Sequence, residues 1–392
     1  MKLPRLLVGV LLSVLSASFC LAEDLPEVPF VEIEPTLPKK FTLPTIDISE
    51  DAKRQVIVDK DPNRYFGHPS TLLMPDGKTM YCAYALNHGG PPLFYKVSRD
   101  GGLTWSDHLP APPGSDKLGN CPFLQRLKAP DGTWRLFSFV GGDDHKADAT
   151  WQSHSTDGGK TWTPMKDNGM ESVVASPTVV PVECAEKYLC WYHTYPAGKK
   201  RSGRLLEVRQ SASTDGGLTW GDTRIICRVK DSAPCEPGVV RSPDGKQLLI
   251  LMRENARRLN SLMMVSNDEG RSWSAPRELP AALTGDRHQP RYAADGRLVI
   301  VFRDRGTQSP TAGDFVAWVG KYEDIIAGRE GQYRIKLLHQ HGRKGDCGYG
   351  GLELLPDDTL VATTYVQHKP NEKNSIVSVR FKLSEIDALH KE

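Results

Sequence analysis

Short apolar runs alternate with polar turn clusters along most of the chain, and the runs come in pairs. The second member of each pair is the clearer: Met80 to Ala85, Leu136 to Val140, Leu248 to Met252, Leu298 to Phe302 and Leu360 to Tyr365. Runs of this length, rich in branched and aromatic residues, predict strands. A turn stands before most of them, at Asp76-Gly77, Asp131-Gly132, Asp244-Gly245 and Asp295-Gly296, with Pro356-Asp357-Asp358 in the corresponding place near the end. The first member of each pair begins at an x-Pro step: His68-Pro69, Cys121-Pro122, Ser176-Pro177, Glu236-Pro237 and Gln289-Pro290, with Tyr349-Gly350 as the sixth.

A second repeat runs through the same stretch. Ser98-Arg99-Asp100-Gly101-Gly102-Leu103-Thr104-Trp105 recurs with the pattern S-x-D-x-G-x-S/T-W from Ser155, Ser213 and Ser266, at spacings of 57, 58 and 53 residues. Each copy is a turn with a mechanism. Asp bonds the backbone of its own turn, Gly takes the positive φ, and Trp plugs between neighbouring layers. A period of this length holds about four short strands. Six such units predict an all-β fold, a six-bladed β-propeller with four-stranded antiparallel blades, which leaves no long exposed edge. The propeller is expected over residues 53–392, with Gln55 to Val58 as the outer strand that closes the last blade. Residues 23–52 read as an extended lead-in.

The first 22 residues read as a secretory signal. Lys2 and Arg5 precede an apolar run from Leu6 to Phe19, too short to span a bilayer comfortably, and Ala22 offers a small residue for cleavage. A secreted or periplasmic protein is expected, without a membrane span. Fifty basic against 48 acidic residues argue against a nucleic-acid partner, which selects for basic excess. Seven cysteines follow the signal. Cys184 with Cys190, and Cys227 with Cys235, are close enough in sequence to pair, and buried thiols are the other reading. No cofactor or metal is expected, since the histidines are scattered and no zinc-type spacing occurs. Oligomeric state is not legible.

In a propeller the innermost strand of each blade starts near the central pocket. The residue before each repeated proline therefore belongs to one ring: His68, Cys121, Ser176, Glu236, Gln289 and Tyr349. The ends of the second strands form another: Ala85, Val140, His193, Arg253, Arg303 and Val366. Repeat arithmetic alone thus brings Glu, Tyr, Gln, His and two Arg to one face.

The four turns resemble the Asp-boxes of the sialidase superfamily, over roughly residues 60 to 385. Cys235-Glu236-Pro237-Gly238-Val239-Val240, with Asp244-Gly245 and Leu251-Met252-Arg253, is similar to the family stretch that carries the catalytic glutamate and an arginine. Asp346-Cys347-Gly348-Tyr349-Gly350-Gly351-Leu352 is similar to the stretch that carries its tyrosine. The resemblance implies Tyr349 as nucleophile, Glu236 as its base, and arginines that clamp a substrate carboxylate. A neutral phenol is a weak nucleophile, so a carboxylate must take its proton. The guanidinium fork matches a carboxylate.

Three places depart from the family pattern. Its first arginine corresponds to Gly67, with Arg64 nearby either as a substitute or as a loop charge. Its third arginine has no counterpart in Asp314 to Trp318, and Arg303, or else Arg287 or Arg291, is the candidate. Its acidic aspartate falls among Asn87-His88-Gly89-Gly90, so His88, or Asp143 and Asp144 from the next blade, is the candidate general acid. The resemblance implies an exo-α-sialidase acting on sialylated glycans. The alternatives are a hydrolase or lyase for another acidic sugar, for which His68, His88 and His193 would suit proton abstraction, and a sugar-binding propeller without chemistry.

Overall fold

The computed structural model describes residues 28–142, 149–174, 178–183, 187–198 and 204–391. Six antiparallel sheets follow one another as blades. Blade one is Phe66–Leu73, Met80–Leu86 and Gly90–Ser98, and its fourth strand is reduced to a bridge between Tyr95 and Leu109. Blade two is Asn120–Lys128, Trp134–Gly141, Thr150–Ser155 and Lys166–Asp167. Blade three is Thr178–Val182, Lys187–Thr194, Glu207–Ser213 and Gly221–Arg228. Blade four is Pro234–Arg241, Leu248–Glu254, Leu262–Ser266 and Arg277–Glu278. Blade five is Gly285–Tyr292, Leu298–Asp304, Phe315–Gly320 and Tyr333–Leu338, with Thr45–Asp47 added in parallel at its outer edge. Blade six is Gly350–Leu354, Leu360–Val366 and Ser375–Phe381, and the early strand Gln55–Asp59 pairs with the last of these to complete it. The chain therefore forms a six-bladed β-propeller of four-stranded plan, closed by its own N-terminal segment.

The continuous apolar runs now have a reason. Leu248 to Met252 sits between two neighbours, and alternate side chains serve each. Leu249 and Leu251 pack with Leu298, Ile300, Phe302 and Trp318 of blade five, whereas Leu248, Ile250 and Met252 pack with Leu189 and Trp191 of blade three. Both faces are buried, so the period-two signal disappears.

The Asp-box turns form as their chemistry requires. Asp100 Oδ1 accepts the N–H groups of Leu103 and Thr104, and its Oδ2 accepts the Thr104 hydroxyl at 2.6 Å. Asp157, Asp215 and Asp268 hold their turns in the same way. The tryptophans reach the preceding blade: Trp220 Nε1 donates to Gln152, and Trp273 Nε1 to Gln210. Cys227 and Cys235 are separate buried thiols, not a disulfide. Cys227 lies in an apolar cluster and Cys235 near Arg253 and Glu236, and burial raises the pKa of both. Cys190 is also a buried thiol, and Cys184 lies outside the described residues. No helix among the described residues is long and apolar enough to cross a membrane.

Candidate active site

One backbone device recurs where the innermost strands begin. The pairing register skips between Gly67 and Ser70, Asn120 and Phe123, Cys235 and Gly238, and Asp286 and Gln289. In each bulge one residue takes a left-handed conformation: His68, Cys121, Glu236 and Arg287, with φ of 50, 50, 51 and 63°. Non-glycine residues rarely adopt this conformation, and strain of this kind concentrates at functional sites. In blade six the left-handed residue is Gly348, φ 87°, and Tyr349 follows it. A Cβ at Gly348 would lie 2.5 Å from the Arg303 Cβ and 2.7 Å from its Cα, so glycine is what lets blade six pass close over blade five.

The bulges correct the proline alignment in blade five. Pro290 lies two residues later than its counterparts, so the position equivalent to Glu236 is Arg287, not Gln289. Gln289 stands opposite Val301, one pleat further along the strand. Arg287 is 6% exposed, and its guanidinium lies 5.1 Å from the centre of the Tyr349 ring. Its Nη1 is buried without a hydrogen-bond partner.

Tyr349 and Glu236 meet at the centre. The phenol donates to Glu236 Oε1, and Arg253 Nη1 lies 2.7 Å from that oxygen and 2.7 Å from the phenolic oxygen. Arg303 places its guanidinium 4.7 Å from the Tyr349 ring centre, with Nη2 3.4 Å from the hydroxyl. Burial pushes the Tyr349 phenol far above its ordinary value, so it rests protonated. Burial also opposes the charge on Glu236, but Arg253, Arg287 and the Tyr349 hydroxyl together outweigh this and hold the carboxyl below its usual range. The pair is thus a neutral phenol hydrogen-bonded to a charged carboxylate.

Asp286 organises the arginines and was not among the sequence candidates. It is fully buried; its Oδ1 lies 3.1 Å from Arg253 Nε and 2.8 Å from Arg257 Nη1, and its Oδ2 lies 2.8 Å from Arg303 Nη2. Burial opposes its charge, but Arg253, Arg303 and Arg257 hold it far below the ordinary carboxylate range. The one available signal was its place, directly before Arg287 and opposite Arg303 in the strand register.

Three histidines lie about the site, one of them against the phenol. The His68 ring stacks on Tyr349, with centroids 5.0 Å apart and planes 26° apart. Burial pulls its pKa well below the ordinary value, with His88, Arg287 and Arg303 adding to the effect. His193 Nδ1 accepts the Glu236 N–H at 3.2 Å, and burial pulls its pKa down to about 4. His88, half-exposed, lies edge-on to His68 at 4.4 Å, and its Nδ1 is 3.1 Å from Asp346 Oδ1. Tyr65 donates to the same oxygen at 2.8 Å. Asp346 and Tyr65 were also missed, because nothing in their spacing announces a contact with His88.

The remaining candidates fall elsewhere. Arg64 is an exposed loop charge with Nε 3.8 Å from Asp61. Arg291 turns to Glu353 and the Leu352 carbonyl. Asp143 and Asp144 lie outside the described residues. Among the described residues no three His, Cys, Asp or Glu side chains converge as a metal site.

Comparison with known proteins agrees with this architecture. The model of the BNR repeat-like domain matches residues 114–309, half of the chain. A sialidase of Paraclostridium sordellii is 28% identical over 215 residues, covering 47% of this chain and 52% of that protein. The match thus spans about half the length of the curated relative. Among solved structures, an α-L-arabinofuranosidase of Fusarium graminearum superposes with a TM-score of 0.63 at 14% identity, covering 85% of this chain and 98% of that one. The NanB sialidase of Streptococcus pneumoniae does so at 0.54 and 12%, covering 85% and 71%. At these identities the two structures share the fold.

Proposed function

Because the chain belongs to the BNR repeat-like family, we propose that it is an exported retaining exo-glycosidase that removes a terminal sialic acid through a covalent tyrosyl intermediate. One observation carries this reading: the Tyr349 hydroxyl donates to Glu236 Oε1 while Arg253 Nη1 lies 2.7 Å from both oxygens. A carboxylate held charged against a protonated phenol is the arrangement that activates a tyrosine nucleophile.

As Glu236 takes the phenolic proton, the Tyr349 oxygen bonds to the anomeric carbon and the bond from that carbon to the leaving oxygen breaks. The electron pair stays with the leaving oxygen, which takes a proton from the general acid. A water oxygen then bonds to the anomeric carbon, its proton returns to the acid, and Tyr349 departs and regains its proton from Glu236. Two displacements retain the configuration. The acid is His88, with its Nδ1 directed to Asp346 so that Nε2 gives and regains the proton; Asp144 is the rival. Arg253 and Arg287 take the substrate carboxylate, and Arg303, tied to Asp286, supports Arg253 and the phenol. Choice of a tyrosine fits an anionic sugar, which repels a carboxylate nucleophile. Export rests on the signal-like residues 1–22.

A second acidic sugar, such as a uronate, fits one feature. Gly67 stands where the family has its first arginine, and His68 covers the face of Tyr349, so the cationic clamp acts from one side only. Incubation with a simple α-sialoside separates the readings. Free sialic acid released with retention supports the proposal. An unsaturated product absorbing in the ultraviolet supports elimination from a uronate, and binding without turnover supports a lectin.

A further inference from the structure

Beside the catalytic residues lies a cavity of about 450 Å³ between blades four and five. That is within the ~300–1,000 Å³ range of ligand sites. Arg257, Arg305, Lys344 and Lys39 line it, together with Glu254 and Asp304. Both carboxylates are turned to structural work. Glu254 accepts the N–H groups of Ala233, Ala256 and Arg258 and the Ser232 hydroxyl, and so shapes the loop after its strand. Asp304 is fully buried on Arg334, Ser309, Thr311 and the Gly306 N–H. Lys39 is matched by Glu278 at 2.9 Å. The field in the cavity therefore comes from Arg257, Arg305 and Lys344.

The arginines are in excess. Four guanidiniums gather on Asp286: Arg253, Arg257 and Arg303 within 3.1 Å, and Arg305 with Nε at 3.7 Å. Glu236 serves Arg253 as well. Two positive charges in this group remain unmatched by carboxylates, and the two outer arginines, Arg257 and Arg305, are the ones that face the cavity. Arg257 holds a left-handed backbone, φ 62°, a conformation that non-glycine residues adopt only when the surroundings enforce it. Burial, and then repulsion from Arg257, Arg303 and Arg253, pull the Arg305 pKa down against the attraction of Asp286. One substrate carboxylate, taken by Arg253 and Arg287, leaves the outer pair sharing Asp286 with two other guanidiniums.

We infer that this cavity is a second anion subsite, which takes a sulfate ester or carboxylate on the sugar next to the one removed. The natural substrate is then a glycan with two neighbouring anionic groups. The cleaved sugar's identity rests on the sialidase reading; the cation pocket does not.

The test is isothermal titration of the Tyr349→Phe protein with three probes. They are α-sialyl-N-acetyllactosamine, the same trisaccharide sulfated on the galactose next to the sialic acid, and a sialic acid dimer whose second sugar carries a carboxylate. The sulfated or the dimeric probe is expected to bind about tenfold tighter than the plain trisaccharide. Whichever does so identifies the anion. Adding Arg257→Gln with Arg305→Gln is expected to abolish that advantage. Equal affinity for all three probes overturns the subsite and leaves the sialidase reading standing. If none binds, the sialidase reading fails, and inorganic sulfate decides the subsite. A rise in Tm over chloride at equal ionic strength that the double arginine substitution removes supports it. An equal rise in both proteins, the generic effect of an excluded salt, overturns it.

Discussion

Asp286 stands opposite Arg303 in the first strand pair of blade five, and its Oδ2 lies 2.9 Å from Nε and 2.8 Å from Nη2 of that guanidinium. Both groups are buried, so each offsets the cost of taking the other's charge out of water. Asp286→Asn leaves the shape but removes the charge on which the arginines gather. It is expected to lower stability by about 3–5 kcal/mol, the range for breaking a buried ion pair from one side. Urea denaturation measures this. A loss under about 1 kcal/mol would mean that Arg253 and Arg303 do not depend on this carboxylate.

Arg253 touches Glu236, Tyr349 and Asp286, and is 17% exposed at its side chain. Arg253→Lys keeps one charge and loses the fork. Transition-state stabilisation is expected to fall by about 1–3 kcal/mol, read from kcat/KM on a sialoside. Full kcat/KM in this variant would remove Arg253 from the site.

His193 gives stability a pH dependence with a definite sign. Its folded pKa of about 4 lies below the ordinary 6.5, so the unfolded chain binds more protons between these values. Stability is therefore highest above pH 6.5 and declines as pH falls towards 4, by up to about 3 kcal/mol from this group. His68, shifted in the same direction, adds to the decline. His193→Asn keeps an acceptor for the Glu236 N–H without the titration. Its unfolding free energy is expected to fall less steeply over this window, and parallel curves for the two proteins would refute the assignment.

His88 as general acid predicts a dependence on the leaving group. His88→Ala is expected to slow an alkyl glycoside strongly and a nitrophenyl glycoside little, because nitrophenolate needs scant protonation. Asp346→Asn, which alters the partner of Nδ1 and not the substrate contact, is expected to slow the alkyl glycoside more than the nitrophenyl one, though less than His88→Ala does. Equal slowing of both glycosides in His88→Ala passes the role to Asp144.

The propeller was legible because its signals are local. Each Asp-box holds its own turn, and each Trp needs only the blade before it. Two of the central residues were legible for a related reason. Glu236 sits beside the repeated proline and Tyr349 at the equivalent start of blade six, and a periodic chain carries equivalent positions to one axis. Where the proline moved, at Pro290, the alignment slipped and pointed to Gln289 in place of Arg287. The bulge is a backbone feature, and the proline marks it only when the two stay in step. Asp286 was marked only by its place before Arg287, and Asp346 by nothing in its spacing. Their partners lie on other strands or loops, and no repeat predicts which loop residue faces which. The closeness of Cys227 and Cys235 in sequence left pairing and separate thiols both open, since sequence spacing carries no information about side-chain direction.

The central claim is that Tyr349 attacks the anomeric carbon with Glu236 as its base. Treatment of the protein with a fluorinated sialosyl fluoride, followed by peptide mass spectrometry, tests it most directly. Fluorine beside the anomeric carbon slows hydrolysis of the intermediate, so the sugar stays where it was transferred. The expected result is a sialosyl adduct on Tyr349 in the wild type and none in a folded Tyr349→Phe variant, which also loses most turnover. An adduct on Glu236 or any other residue, or near-normal turnover in Tyr349→Phe, would contradict the account.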